Sequence, residues 1–169
     1  MQSRLPEYCD LYQLAEKSAR ISGSWPVAKL PRLLGMLESD SGEATVEFEF
    51  GKSGRTRYLR GTISAEVDMQ CQRCLEPTKV TLDAEFLLAL VETELQMEKI
   101  PDEYEALITE GRHFLPDVIE DELILVVPIV ASHDSKCSSY MNEQVIEPVT
   151  QVEESPKKPN PFAALKDLL

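Results

Sequence analysis

The chain has 169 residues, 43% of them hydrophobic, which is enough for one domain with a buried core and short for two. It carries 30 acidic against 17 basic side chains, for a net charge of −13. A surface this acidic is poorly suited to bind nucleic acid over its whole extent, because phosphate contacts need lysine and arginine. The sequence has no apolar run of about 18 residues, and MQSRLPEYCD lacks the pattern of a signal peptide. We therefore expect a cytosolic protein.

The N-terminal part of the chain predicts three short elements. YCDLYQLAEKSA (8–19) places apolar residues at helical spacing, and Asp10 is in position to cap that helix. RISGSWPV (20–27) predicts a brief strand. LPRLLGMLE (30–38) predicts a short helix, because Pro31 suits a first helical turn.

The middle of the chain predicts an antiparallel β-meander. ATVEFEF (44–50) alternates apolar and acidic residues with the period of a half-buried strand, and GKSG (51–54) follows as a turn. RYLRGTISAEVDMQC (57–71) and TKVTLDAEFLLALVE (78–92) continue the extended pattern, so consecutive strands pair and can curl toward a barrel. LPDVIEDELILVVPIV (115–130) begins with the proline and acid of a helix N-terminus, which outweighs its β-branched end. We predict an α+β fold with flanking helices.

Two short motifs supply candidate metal ligands. CQRC sets Cys71 and Cys74 at C-x₂-C spacing between two predicted strands, and HDSKC adds His133 and Cys137 at H-x₃-C spacing. Structural zinc takes four such ligands, often as two short-spaced pairs, so these residues are the candidate ligands of one zinc ion. Two alternatives stay open: the first two cysteines are small buried residues at a strand end, or they form a redox pair. The redox alternative lacks the βαβ context in which such motifs occur.

The segment KSGRTRYLR (52–60) holds four bases and no acid. Guanidinium groups beside an aromatic ring suit phosphate contact and base stacking, so this basic turn is a candidate RNA-binding site. The alternative is an exposed hairpin whose charges only keep its edge soluble. The candidate RNA-binding residues are Lys52, Arg55, Arg57, Tyr58 and Arg60.

Residues 92–122 hold eleven acids against Lys99 and Arg112. We interpret this abundance as a solvated or partner-facing surface, which could also hold a basic protein through charge complementarity. A metal-dependent nuclease that cuts precursor RNA would need clustered carboxylates as well, and it is the enzyme alternative. The sequence lacks G-x-S-x-G, a glycine-rich phosphate loop and H-E-x-x-H, so we expect no catalytic residues and no enzyme.

The C-terminal part predicts a tail on a single domain that spans residues 1–137. Residues 138–159 are rich in Glu, Pro and Ser, and predict a flexible acidic linker. NPFAALKDLL (160–169) predicts a short helix with an apolar stripe, which docks on a partner or folds back on its own domain. The candidate docking residues are Asn160, Pro161, Phe162, Leu165 and Leu169.

The order of these pieces resembles a known family. CQRCLEP after an extended segment, then EDELILVVP, HDSKC and a terminal KPNPFAALKDLL, resembles the bacterial YceD family of large ribosomal RNA subunit accumulation proteins, over roughly residues 20–169. The resemblance implies a cytosolic, non-enzymatic ribosome biogenesis factor for accumulation or processing of large-subunit ribosomal RNA. Its partners would be pre-ribosomal large-subunit particles, ribosomal RNA or a basic ribosomal protein. The alternatives are an acidic chaperone for a basic ribosomal protein and, second, the nuclease.

Overall fold

The computed structural model describes residues 5–109 and 111–137. These residues form four α-helices and seven β-strands, and the compact unit that contains all of these elements extends to Ser135. The helices are α1 (Leu11–Glu16), α2 (Pro31–Leu34), α3 (Glu94–Met97) and α4 (Leu115–Leu125). The strands are β1 (Tyr8–Asp10), β2 (Arg20–Pro26), β3 (Glu43–Ser53), β4 (Thr56–Gln70), β5 (Pro77–Val91), β6 (Glu105–Ile108) and β7 (Arg112–Phe114).

The main sheet has the order β2-β3-β4-β5-β6. Strands β2 to β5 form an antiparallel meander, as the period-two patterns predicted, whereas β6 pairs with β5 in parallel. The α+β class is therefore confirmed. Within the described residues β2 and β6 are the two edges of this sheet, so the meander stays open and does not form a barrel.

The two longest strands form one hairpin that carries two of the candidate metal ligands at its tip. Strands β4 and β5 have 15 residues each, and the pairing runs from Arg57 opposite Leu90 to Gln70 opposite Pro77. The turn between them consists of residues 71–76. A long ladder of paired strands holds this turn at a defined position relative to the core.

One face of the sheet packs against helices and forms the core. Phe48 and Ile63 of the sheet lie in the same buried cluster as Leu11 of α1 and Ile119 and Leu123 of α4. Alternate residues of β3, β4 and most of β5 are buried on this face, and most of those between them are exposed. The end of β5, residues 88–91, is buried throughout. The alternation follows from the two-residue period of a strand with one covered face.

Close packing across the hairpin requires a glycine in β4. Gly61 pairs with Phe86 of β5, and a Cβ at this position would lie 2.1 Å from Phe86 Cζ. The ring therefore occupies the space that any other side chain would need. Phe86 also meets the ring of Phe48 edge-on, with 5.8 Å between centroids.

Helix α4 is confirmed as a helix, but two of its acids contradict the prediction of a solvated surface. Glu120 and Glu122 are buried, with exposed fractions of 3% and 9%. Glu120 accepts hydrogen bonds from the backbone N–H groups of Arg32 (2.6 Å) and Leu33 (3.1 Å), at the N-terminus of α2. It also accepts one from Arg32 Nε at 2.7 Å. These contacts with the N-terminus of α2 and with the Arg32 side chain offset the cost of burying the charge of Glu120.

Glu122 lies in a different environment on the same helix. Burial, and then the negative charges of Glu105 on β6 and Asp121, raise the pKa of Glu122 to about 7. The protonated carboxyl group is favoured because the charged form loses hydration and faces two other carboxylates. Glu122 therefore titrates near neutral pH.

The N-terminal elements agree with the sequence in kind and differ in length. Asp10 caps α1 as predicted, since its carboxylate accepts a hydrogen bond from Gln13 N at 2.9 Å. Helix α1 ends at Glu16 and α2 at Leu34, so both are shorter than the apolar patterns indicated. The small sheet of β1 and β7 was not predicted, because strands of three residues have too little periodicity to detect.

The predicted linker (138–159) and docking helix (160–169) lie outside the described residues. Both remain predictions from the sequence. Among the helices that the structure describes, none is long and apolar enough to cross a membrane.

Candidate metal centre

The turn between β4 and β5 places two cysteines close together. Cys71 N donates a hydrogen bond to Glu76 O, and Leu75 N donates one to Cys71 O, both at 2.9 Å. Leu75 has a φ of 63°, a left-handed conformation that a bulky side chain rarely adopts. The tight turn thereby brings Cys74 back toward Cys71.

The second pair of candidate ligands comes from the segment after α4. Ala131 O accepts a hydrogen bond from Gln72 N at 2.9 Å, which joins this segment to the turn. One ligand atom from each of four residues lies within 4.8 Å of the others, and these residues are Cys71, Cys74, His133 and Cys137. Within residues 5–109 and 111–137 this is the one such group of potential ligands. The structure therefore brings together the four residues that the spacing singled out.

The imidazole of His133 is oriented by the β5 backbone. Its Nε2 atom lies 3.1 Å from Pro77 O, and its Nδ1 atom lies 3.5 Å from Cys74 Sγ. A carbonyl oxygen can only accept a hydrogen bond, so Nε2 carries the proton. In a neutral ring the lone pair is then on Nδ1, which faces the cysteines. In metal sites, a histidine ligand commonly donates the N–H of its other ring nitrogen to a nearby acceptor, which fixes the tautomer.

The Cys71 side chain is fully buried, yet it favours the thiolate. Burial raises the pKa of this thiol. Hydrogen bonds, led by those from the backbones of Arg73, Cys74 and His133, outweigh burial and lower the pKa to about 5. At Cys9, by contrast, burial and then the charge of Asp10 raise the pKa of the thiol to about 11. Cys71 is therefore prepared as a thiolate, the form that binds metals.

Arg73 is a component of this site to which the sequence analysis gave no role. Its guanidinium donates hydrogen bonds to the carbonyl oxygens of His133 and Ser135, the latter at 2.9 Å. The one indication of its role in the sequence was its position inside the C-x₂-C motif. A contact with backbone atoms about sixty residues away leaves no pattern in the sequence.

The basic turn is partly neutralised by α1. Lys52 and Arg57 both form ion pairs with Glu16, and the Arg57 guanidinium lies over the Tyr12 ring at 5.1 Å from its centroid. Hydrogen bonds from Lys52 and then Arg57 hold the pKa of Glu16 below its usual value. Two of the four predicted bases are therefore engaged within the protein.

The other three predicted RNA-binding residues differ in their surroundings. Arg55 is exposed in the turn between β3 and β4, whereas Arg60 is exposed in β4 opposite Glu49. Tyr58 lies across Gly51, where a Cβ would be 2.5 Å from its hydroxyl oxygen, and its ring is 6.4 Å from that of Tyr104. RNA binding by this set stays a prediction.

The solvent face of the sheet carries two adjacent shallow grooves of about 370 and 510 Å³. Both grooves are lined by Glu47 and Thr62, which are paired across β3 and β4. Asp83 and Glu85 of β5 line the larger one. This acidic groove, defined by Glu47, Asp83 and Glu85, was not distinguished by the sequence analysis, which placed the acidic surface in 92–122. The candidate docking residues Asn160, Pro161, Phe162, Leu165 and Leu169 lie outside the described residues.

A protein-family model and a known relative place this chain in the same family. The family model described as large ribosomal RNA subunit accumulation protein YceD matches residues 59–169, which include all four candidate metal ligands. The large ribosomal RNA subunit accumulation protein YceD of Haemophilus influenzae is 34% identical over 169 residues, covering 98% of this chain and 96% of that protein. No solved structure matches the chain at a significant level. The chain belongs to the YceD family.

Proposed function

We propose that this protein is a cytoplasmic ribosome biogenesis factor that supports synthesis, processing or accumulation of large-subunit ribosomal RNA, and that it acts by binding rather than catalysis. The observation that carries the proposal is its similarity, over nearly the whole length, to a relative named for accumulation of the large ribosomal RNA subunit. The partners would be pre-ribosomal large-subunit particles.

The test combines a gene deletion with a gradient profile of cell extract. We expect the protein to sediment with precursors of the large subunit, and its deletion to lower the ratio of large-subunit to small-subunit ribosomal RNA. A protein that remains at the top of the gradient, together with an unchanged RNA ratio in the deletion strain, would contradict the proposal.

We also propose that the cluster holds one zinc ion. A tetrahedral zinc site places a histidine nitrogen about 3.5 Å from a cysteine sulfur, because the metal–ligand bonds are about 2.0 and 2.3 Å. The His133 Nδ1 to Cys74 Sγ distance of 3.5 Å fits this value. Three sulfurs and one nitrogen form a soft set that favours zinc, and four protein ligands leave no position for a substrate. The ion would therefore be structural, which agrees with a function in binding.

Metal analysis of protein purified without chelator tests the zinc site. We expect close to one zinc per chain, and Cys74→Ser to lower the zinc content strongly. Cys9→Ser is the matched control, because Cys9 lies outside the cluster. A zinc content near zero in the unaltered protein would contradict the proposal and favour structural burial of the cysteines.

RNA contact at the basic turn is the finer part of the proposal. Arg55 is the base to change first, because it is exposed, whereas Arg57 is paired with Glu16. Arg55→Glu should weaken binding to precursor ribosomal RNA, and the difference should shrink as salt concentration rises. Lys136→Glu, an exposed base on another loop, is the control for net charge. Equal affinities for all three proteins would exclude this turn as the RNA site.

The predicted C-terminal helix gives a further test of partner binding. Deleting residues 160–169 should leave the melting temperature almost unchanged and remove the association with pre-ribosomal particles. A large fall in melting temperature would instead show that this segment belongs to the folded domain.

A second candidate function is favoured by the acidic groove. An acidic chaperone for a basic ribosomal protein would use carboxylates such as Glu47, Asp83 and Glu85 to attract Lys and Arg side chains. The two functions differ in what copurifies with the protein. A binary complex with a ribosomal protein that survives nuclease treatment would support the chaperone, and loss of all partners after nuclease would support RNA-dependent association.

A further inference from the structure

Arg73 connects the two segments that carry the candidate metal ligands. It lies between Cys71 and Cys74, and one of its terminal guanidinium nitrogens donates to the carbonyl oxygens of both His133 and Ser135. These bonds restrain the backbone on both sides of residue 134, at the point where the HDSKC motif begins. A side chain that itself offers no ligand atom thus contacts the backbone that carries His133.

Charge gives a second reason to connect Arg73 with the metal. Three thiolates, a neutral imidazole and Zn²⁺ sum to one negative charge, which is costly in a partly buried site unless a cation compensates it. The Arg73 guanidinium donates its hydrogen bonds to carbonyl oxygens. Among the carboxylates that the structure describes, none pairs with this positive charge beside the cluster.

We propose that Arg73 is the positioning residue of the metal centre. Its guanidinium holds the backbone of residues 133–135 so that His133 Nδ1 stays at ligand distance, and it supplies the charge that balances the loaded cluster. This inference rests on the proposed zinc site, and it assigns to Arg73 control over how long the ion stays bound.

The test compares Arg73→Ala, Arg73→Lys and the control Lys136→Ala in the full-length protein. Lys136 is exposed on the same loop, so its variant removes one positive charge without removing the Arg73 bonds. The first measurement is the rate at which bound zinc passes to a chromogenic chelator. The second is the absorption spectrum of the Co²⁺-substituted protein, which reports the number of sulfur and nitrogen ligands.

We expect Arg73→Ala to release zinc about 10- to 100-fold faster, as is typical when a residue that supports a ligand is removed. Its Co²⁺ spectrum should show altered histidine coordination. Arg73→Lys should recover part of the loss, because it keeps the charge but not the reach of the guanidinium. Lys136→Ala should differ from the unaltered protein by less than about twofold, since it leaves the hydrogen bonds of Arg73 to His133 and Ser135 in place.

Each outcome decides a specific point. An Arg73→Ala protein with the release rate and Co²⁺ spectrum of the unaltered protein would overturn the inference. If Arg73→Ala does not fold, a Lys variant with an unchanged release rate would overturn it as well. Absence of zinc from the unaltered protein would instead contradict the proposed metal site, so the two failures are distinguishable.

Discussion

The buried carboxylate of Glu120 allows a quantitative test of the fold. We consider Glu120→Gln, which keeps the size of the side chain and removes its charge. In the native protein this carboxylate receives two backbone N–H groups of α2 and the Nε–H group of Arg32. The amide of glutamine must turn its NH₂ group toward at least one of these donors, where no hydrogen bond can form.

The expected loss of stability follows from these three contacts. Hydrogen bonds to a charged group contribute about 1.5 to 3 kcal/mol each, and breaking a buried ion pair costs about 3 to 5 kcal/mol. The Arg32 side chain is 51% exposed, so water compensates part of its loss. We therefore expect Glu120→Gln to lower the free energy of unfolding by about 3 kcal/mol and the melting temperature by about 10 °C.

Urea unfolding followed by tryptophan fluorescence measures this change, because the single tryptophan, Trp25, is 2% exposed in the folded protein. Asp121→Asn is the matched control, since Asp121 also pairs with Arg32 but its side chain is 55% exposed. Exposed pairs contribute about 0.2 to 1 kcal/mol, so the control should change stability little. A loss below about 1 kcal/mol for Glu120→Gln, or equal losses for both variants, would refute the reasoning.

Three other changes test separate features. The pKa of Glu122 is raised from 4.5 to about 7, so the folded state binds its proton more tightly and stability should fall as pH rises through this interval. Urea midpoints measured across this pH range should fall less steeply for Glu122→Gln than for the unaltered protein. An equal slope for the two proteins would contradict the raised pKa. Gly61→Ala places a Cβ 2.1 Å from Phe86, which should lower the free energy of unfolding by about 2 kcal/mol in thermal unfolding. Adding Phe86→Leu to this variant should restore part of the lost stability. Losses that are simply additive in the double variant would disprove the contact. Glu16→Gln frees Lys52 and Arg57 from their ion pairs. The variant should therefore bind RNA more tightly than the unaltered protein at low salt, and this difference should disappear at high salt. Equal affinity of the two proteins at every salt concentration would argue against RNA contact at the basic turn.

Local patterns in the sequence determined most of the elements and the identity of the candidate ligands. The period-two alternation in β3, β4 and β5 states which side chains face the core, because a strand turns successive residues to opposite faces. Helix starts were marked by the capping residue Asp10 and by the first-turn prolines of α2 and α4. Both signals are local, because a cap and a first-turn proline act only on neighbouring residues. The C-x₂-C and H-x₃-C spacings identified four candidate ligands because the members of each pair are close in sequence.

Only the tertiary structure decided which groups meet across long separations. Glu120 and Arg32 are 88 residues apart, and the acid-rich sequence around Glu120 predicted a solvated surface. The bond of Arg73 to His133 spans 60 residues, and the bond of Arg57 to Glu16 spans 41. A charged side chain has the same identity whether it is hydrated or paired. Its role is therefore set by what the folded chain places within about 3 Å of it, a distance that composition and periodicity do not encode.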